Sequence, residues 1–100
     1  MTERDYIGAI DLWQQVLATR QDNASAQLRL ADALVAAKRL DEAVKVYQTA
    51  ISLNAGAEAH RRLAEIYDAL GRGEDGARER ALYTSRQLAE LRQRASGGLR

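Results

Sequence analysis

The segment LDEAVKVYQTAI, residues 40–51, has its apolar residues at the spacing of an amphipathic helix, and YIGAIDLWQQVL, residues 6–17, repeats its pattern. Laid over each other at a shift of 34 residues, the two segments carry similar side chains at equivalent positions. The matching pairs are Ala9 and Ala43, Ile10 and Val44, Leu12 and Val46, Trp13 and Tyr47, and Leu17 and Ile51. A helical sequence pattern that recurs after 34 residues predicts a repeat architecture.

A second helix type recurs between these two. The segments AQLRLADAL, residues 26–34, and AHRRLAEIY, residues 59–67, match at a shift of 33 residues. The matching pairs are Ala26 and Ala59, Leu30 and Leu63, Ala31 and Ala64, and Leu34 and Tyr67. Two alternating helix types with this period are typical of a solenoid, in which each helical hairpin buries its apolar face against the next.

The composition favours a small helical domain and excludes several classes of protein. The 100 residues contain no proline, phenylalanine or cysteine, and the net charge is +1. A chain of this length forms one domain and buries roughly 60–70% of its surface. No segment approaches the ~18 apolar residues of a membrane span, and MTERDYIGAI at the start is no secretory signal. We therefore expect an all-α cytoplasmic protein with no membrane or nucleic-acid partner.

Capping residues predict the bounds of five helices. Asp22 or Asn23 would cap helix two, and Gly71 supplies the left-handed residue that ends helix four. The predicted helices span about 4–20, 24–37, 41–53, 57–70 and 75–95. The predicted organisation is a single domain, in which 4–20 is an orphan second helix, 24–56 a complete repeat, 57–95 a degenerate repeat with a long capping helix, and 96–100 a flexible tail.

The segment SAQLRLADALVAAKRLDEAVKVYQTAISLNA, residues 25–55, resembles a tetratricopeptide repeat. That pattern has a large, a small and a large residue in its first helix, and a small, an aromatic and a small residue in its second. These positions hold Leu30, Ala31 and Leu34, and then Ala43, Tyr47 and Ala50. The resemblance covers about residues 4–84. It implies an antiparallel helix-hairpin solenoid of about 2.5 repeats, whose paired helices cross closely at the alanines.

The same resemblance suggests a binding face. In this family the first helices of successive repeats line a concave surface that binds a peptide or helix of a partner protein. Here that surface would contain residues of helices two and four, namely Leu28, Arg29, Asp32, Val35, Arg61, Arg62, Glu65 and Asp68. Family members that clamp a terminal carboxylate use lysine and asparagine where this chain has Leu28 and Asp32, so such a clamp is not expected. Arg61 and Arg62 could pair with an acidic segment, and the competing interpretation is a solvated face of mixed charge.

Helix one generates a second hypothesis. It matches the second helix of a repeat, and only three residues precede it in this sequence. The side chains that would meet a preceding helix are Ala9, Trp13 and Val16. An uncovered apolar face commonly marks an interface, so another copy, a partner helix or an upstream segment should cover Trp13. A homodimer that also uses Leu88 and Leu91 is the simplest closed solution.

Helix five carries scattered arginines and an ordered set of small and apolar residues. Arg78, Arg80, Arg86, Arg92 and Arg94 point in different directions, which favours a solvated face over nucleic-acid binding. The other set steps by 4, 3, 4, 3 and 4 residues, which is a weak heptad seam. Its members are Ala77, Ala81, Thr84, Leu88, Leu91 and Ala95. We expect its first half to pack on helix four and its last turns to be left for another partner.

Two further motifs have simple interpretations. The segment GRGEDG, residues 71–76, spells G-x-G-x-x-G, but it follows a helix and carries two acids, so it predicts a flexible turn and no phosphate loop. His60 is the only histidine, and with no cysteine it makes neither a catalytic dyad nor a metal cluster. The sequence thus predicts a protein–protein interaction module with no cofactor, metal or enzymatic activity, and homo-oligomerisation is the alternative function.

Overall fold

The computed structural model describes residues 3–98, and over that range it contains five α-helices and no strand. They are α1 (Glu3–Thr19), α2 (Ala24–Ala36), α3 (Leu40–Ser52), α4 (Ala57–Ala69) and α5 (Gly73–Gly98). Each helix packs mainly on the next, so α1 contacts α2, α2 contacts α3, α3 contacts α4 and α4 contacts α5. The result is an elongated stack of 48 × 34 × 23 Å, and the all-α prediction is confirmed.

The positions that repeat in the sequence form the core. On the first helix type, all eight matched residues are buried: Ala26, Leu30, Ala31 and Leu34 of α2, and Ala59, Leu63, Ala64 and Tyr67 of α4. On the second type, Ile10 of α1 and its counterpart Val44 of α3 are also buried. The periodicity therefore arises because equivalent side chains fill equivalent places between successive helices.

Alanines lie where α2 and α3 cross. Ala31, Ala43 and Ala50 have no exposed surface at all. A methyl side chain at a crossing allows two helix backbones to approach closely, and larger neighbours then fill the space beside it. Leu34 and Tyr47, each 2% exposed, are those neighbours.

The turns between helices use one hydrogen-bond pattern three times. Lys38, Asn54 and Gly71 follow α2, α3 and α4 with left-handed φ angles of 63°, 61° and 75°. In each case the N–H of the next residue donates to a carbonyl in the last helical turn, at 2.8 to 3.0 Å. This is the Schellman ending, and it satisfies carbonyls that a helix end would otherwise leave without a donor. Of the two predicted caps of α2, Asn23 makes the bond, accepting from the N–H of Ala26 at 3.0 Å.

Helix α5 is longer than the sequence predicts. It begins at Gly73, two residues before the predicted start, so Glu74 and Asp75 lie in its first turn and part of GRGEDG is helical. Carboxylates are favourable at a helix N-terminus, and that of Asp75 also accepts a hydrogen bond from Nε of Arg72 at 2.9 Å. At the other end α5 continues through Gly98, where a flexible tail from residue 96 was expected. Residues 1, 2, 99 and 100 lie outside the described part of the chain.

Helix α5 approaches α4 closely at Gly76, which is buried. A Cβ atom at this position would overlap Oδ1 of Asp68 and lie 3.2 Å from the carbonyl oxygen of Ala64. The Asp68 carboxylate also accepts a hydrogen bond from Arg80 at 2.5 Å. The absence of a side chain at Gly76 therefore sets the distance between the last two helices.

The α2–α3 crossing should not tolerate larger side chains. We expect Ala31→Leu and Ala43→Leu each to cost about 1–3 kcal/mol of unfolding free energy, because the added atoms have no space. In a domain of this size each kcal/mol lowers the thermal midpoint by roughly 4–8 °C. Ala18→Leu, at an exposed position of α1, is the matched control and should leave the midpoint nearly unchanged. Equal midpoints for all three variants would contradict this packing.

Glycine-to-alanine substitutions should distinguish a glycine needed for the close approach of two helices from one that only lowers helix propensity. Gly8 lies within α1 with nothing near its missing Cβ, so Gly8→Ala should stabilise the protein by roughly 0.5–1 kcal/mol. Gly76→Ala should instead destabilise it by about 1–3 kcal/mol, because the backbone of Ala64 cannot move aside. Chemical denaturation measures both values. A gain in stability at Gly76 would mean that α5 does not approach α4 as closely as described.

Candidate functional site

A shallow depression of about 250 Å³ lies where α2, α3 and α4 meet. Its lining residues are Asp32, Val35, Tyr47, Arg61, Arg62, Glu65 and Ile66. Five of the eight residues that the sequence assigns to the concave face are among them. We call this feature the concave depression.

The Asp32 carboxylate connects the three helices at the depression. The Tyr47 hydroxyl of α3 donates to its Oδ1 at 2.6 Å, and Arg62 of α4 donates to its Oδ2 at 2.5 Å. Burial, together with the hydrogen bond to Asp32, raises the pKa of Tyr47 above its ordinary value, so the hydroxyl remains a protonated donor. The sequence pattern assigned Tyr47 only to the core. Its one polar atom is the signal that it could also reach a polar site, since phenylalanine would fill the same space.

The arginines of the depression are already paired within the chain. Arg61 donates to Glu58 and, at 2.7 Å, to Glu65, and Glu58 also lies 3.5 Å from Arg62. The hydrogen bond from Arg61 lowers the pKa of Glu58, and the same bond raises the pKa of Arg61. With Asp32, three carboxylates surround the two guanidinium groups. An acidic ligand would therefore have to compete with carboxylates of the protein itself.

The remaining predicted groove residues lie outside the depression. Leu28 is half-buried against the core, and Arg29 is exposed on α2. Asp68 is turned toward α5, where it binds Arg80, so its assignment to the concave face is corrected. It lies directly against Gly76 in the α4–α5 contact, which the sequence pattern of α4 alone does not reveal.

The predicted open face of α1 is partly covered. Ala9, Trp13 and Val16 are half-buried and pack against the main core. Trp13 shares a helix face with the buried Ile10 and Leu17, three and four residues away, so its ring packs partly against the core. The well-exposed large apolar residues of α1 are instead Ile7 and Leu12, at 49% and 55%.

His60 lies in the α4–α5 contact. Its Nδ1 is 2.7 Å from Oε2 of Glu79, and the two side chains are 11% and 15% exposed. Ser85 lines the same shallow pocket, but no hydrogen bond joins it to His60 in the described chain. The contact with Glu79 joins α4 to α5.

Helix α5 packs on α4 through a polar face. The residues on that face, all buried or half-buried, are Gly76, Glu79, Tyr83, Arg86 and Glu90. Glu90 accepts a hydrogen bond from the N–H of Ala57 at 3.2 Å, and Arg86 donates to Oδ1 of Asn54 at 3.3 Å. Because Gly56 has no side chain with which to cap α4, Glu90 provides a cap from 33 residues further along the chain.

The heptad seam of α5 faces the opposite way. Every one of its members is exposed: Ala77, Ala81, Thr84, Leu88, Leu91 and Ala95. Leu88 and Leu91 are 49% and 51% exposed. The expectation that the first half of the seam packs on α4 is therefore wrong. The face from Gly76 to Glu90 has the same 3–4 spacing, and its glycine allows the closer approach.

The described residues contain neither a metal-binding cluster nor a membrane-spanning helix. No group of three or more histidine, aspartate or glutamate side chains among residues 4–97 is placed to hold a metal ion. No helix in that range combines the length and the apolar character needed to cross a membrane.

Solved structures of MamA have a similar fold. A structure of MamA AMB-1 is 25% identical to this chain with a TM-score of 0.79, covering 86% of this chain and 52% of its own. A structure of MamA MSR-1 is 24% identical with a TM-score of 0.81, covering 86% and 50%. A third MamA structure is 19% identical with a TM-score of 0.85, covering 88% and 52%. The chain thus spans about half the length of these proteins, and no curated relative matches it.

The family comparison covers the first three helices. A family model described as a tetratricopeptide repeat matches residues 1–61, which is more than half of the chain. The match includes the Leu30, Ala31 and Leu34 pattern of α2 and the Ala43, Tyr47 and Ala50 pattern of α3, whose buried contacts have the geometry that this pattern requires. The chain belongs to the tetratricopeptide repeat family.

Proposed function

We propose that this chain is a protein–protein interaction module that binds a peptide or helix of a partner protein at the concave depression. Family membership and the likeness to MamA structures support a scaffold role of this kind. The observation that carries the proposal is the preformed contact of Tyr47, Asp32 and Arg62, which ties three helices together around the depression. A rigid surface loses little entropy when it binds a ligand.

The chemistry of the depression indicates what it would bind. Val35 and Ile66 provide apolar surface, and the paired charges of Arg61 and Glu65 lie on the exposed rim. An apolar patch with a polar rim is the usual layout of a protein interface, in which the patch provides affinity and the rim fixes orientation. We infer that a ligand inserts one apolar anchor side chain here, and that its polar groups exchange partners with the rim. A purely acidic segment fits less well because the arginines are already paired.

A catalytic role has no support from this site. The volume of about 250 Å³ is below the roughly 300–1,000 Å³ usual for small-molecule pockets. The Tyr47 side chain, whose pKa is raised by burial and by its hydrogen bond to Asp32, is buried, and its hydroxyl serves as a donor in a contact that stabilises the fold.

A charge placed in the depression should abolish peptide binding. We suggest selecting a binder from a phage-displayed library of random 15-residue peptides and measuring its affinity by fluorescence anisotropy. Val35→Lys should lower the affinity for that peptide at least tenfold, because the ammonium group occupies the apolar patch. Val46→Lys is the matched control, since Val46 is also a half-buried valine of the core cluster but lies on α3, outside the depression. Equal affinities for the two variants would place the ligand elsewhere.

Homo-oligomerisation through α1 is the second proposal. The exposed Ile7 and Leu12 favour it, while the half-buried Trp13 supports it less than the sequence alone suggested. If it is correct, sedimentation and light scattering over a dilution series should show a dimer that dissociates. Ile7→Lys combined with Leu12→Lys should raise its dissociation constant at least tenfold, whereas Leu82→Lys, at a 43% exposed leucine of α5, should not. A monomer at every concentration would exclude this proposal.

A further inference from the structure

Helix α5 carries two faces with coiled-coil spacing, and only one of them is used within the described chain. The face from Gly76 to Glu90 steps by 3 and 4 residues and packs on α4. The seam from Ala77 to Ala95 steps by 4, 3, 4, 3 and 4 and is exposed along its whole length. At about 100° per residue the centres of the two faces lie roughly 150° apart, so one neighbouring helix cannot cover both.

The residues that flank the seam are strongly basic. If the seam occupies positions a and d of a heptad, the flanking positions e and g hold Arg78, Arg80, Ser85, Gln87, Arg92 and Arg94. Four of these six are arginines and none is acidic. Arg78 and Arg80 have carboxylate partners in Asp75 and Asp68, whereas Arg92 and Arg94 have no ionic partner among the side chains of residues 4–97. At the C-terminal end of the seam, the positive charges of the flanking arginines are thus not paired with carboxylates of the described residues.

A second copy of α5 does not suit this surface in either orientation. In an antiparallel pair, Arg78 faces Arg92 of the second copy and Arg80 faces its Arg94, which places like charges together. In a parallel pair, like residues meet in each layer, so only the Leu88 and Leu91 layers contain large side chains. The other four layers would join alanine to alanine or threonine to threonine and bury little apolar surface.

The other helices of a second copy fit no better. The apolar faces of α2, α3 and α4 are already in the core. On α1, Ile7 and Leu12 are five residues apart and point in directions about 140° apart, so they form no stripe that could lie along the seam of α5. A membrane surface is also a poor match, because a helix that lies in lipid needs bulky apolar residues along its buried face and this seam has two. Small residues suit the close packing of two helices instead.

We propose that the exposed seam of α5 is a second binding surface, and that it binds an amphipathic helix of a partner protein whose apolar stripe is flanked by acidic residues. Large apolar residues of that helix lie against Ala77, Ala81 and Ala95, and its carboxylates pair with Arg92 and Arg94. This surface is separate from the concave depression, so the two can be occupied together.

The test uses the full chain and two labelled 21-residue peptides with leucine at every a and d position. One has glutamate at e and g, and its control has lysine there. Fluorescence anisotropy should show binding of the glutamate peptide and at least tenfold weaker binding of the lysine peptide. The affinity for the glutamate peptide should fall as salt rises, because exposed charges are screened over about 10 Å at 0.1 M.

Variants of α5 locate the binding on the seam. L88Q combined with L91Q should lower the affinity for the glutamate peptide at least tenfold, whereas L82Q, at an exposed leucine outside the seam, should not. R92E combined with R94E should weaken binding of the glutamate peptide and strengthen binding of the lysine peptide. All of these residues are exposed, so thermal melts should remain close to that of the parent protein. Val35→Lys should leave binding of the glutamate peptide intact, so this test can succeed or fail independently of the test of the concave depression.

Five outcomes would overturn the proposal. Equal affinity for the two peptides, no affinity for either, or affinity that survives L88Q and L91Q would show that the seam does not select an acidic helix. Self-association at micromolar concentration that L88Q and L91Q abolish would assign the seam to a second copy. Binding to vesicles of phosphatidylcholine and phosphatidylserine that the same variant abolishes would assign it to an anionic membrane.

Discussion

Two helix contacts in this chain, α2–α3 and α4–α5, are made at residues no larger than alanine. Ala31, Ala43 and Ala50 at the α2–α3 crossing have no exposed surface, and Gly76 at the α4–α5 contact has no room for a Cβ atom. The separation of the backbones determines which groups can reach one another across helices. The 2.6 Å contact of Tyr47 with Asp32 and the pairing of Asp68 with Arg80 both depend on this close approach.

A consequence is that polar groups have a structural role in a stack whose core is apolar. No buried side-chain nitrogen or oxygen in the described residues lacks a hydrogen-bond partner. The carboxylate of Asp32 accepts a hydrogen bond from the Tyr47 hydroxyl, and that of Glu79 is hydrogen-bonded to His60. The side-chain amide of Gln48 donates to the hydroxyl of Tyr67 at 3.0 Å. Each contact joins two helices, so these bonds fix the register in which the apolar faces stack. The concave depression inherits its shape from that register.

The internal repeat made the helices and the core predictable, because burial recurs with a fixed period. Leu30, Ala31, Ala43 and Tyr47 have the places that the pattern assigns to them. The pairing of charges was not predictable, since the partners of Arg62 and Asp68 lie on other helices and depend on how far each helix is rotated. The orientation of α5 was missed for the same reason. Two faces of this helix have equivalent spacing, and the choice between them is made by Gly76 and by hydrogen bonds to Asn54 and Ala57 rather than by hydrophobicity.

The bond from Glu90 to the N–H of Ala57 links the folding of two helices. The first N–H group of α4 donates to a carboxylate that belongs to α5, so the N-terminus of α4 has this cap only while α5 is in place. Local opening of α5 would expose the start of α4 to water and remove the charge that favours its N-terminus. The last two helices should therefore open and close as one cooperative unit, with amide protons at the start of α4 exchanging at the rate at which α5 detaches. A molecule that holds α5 in place would slow exchange in α4 without touching it.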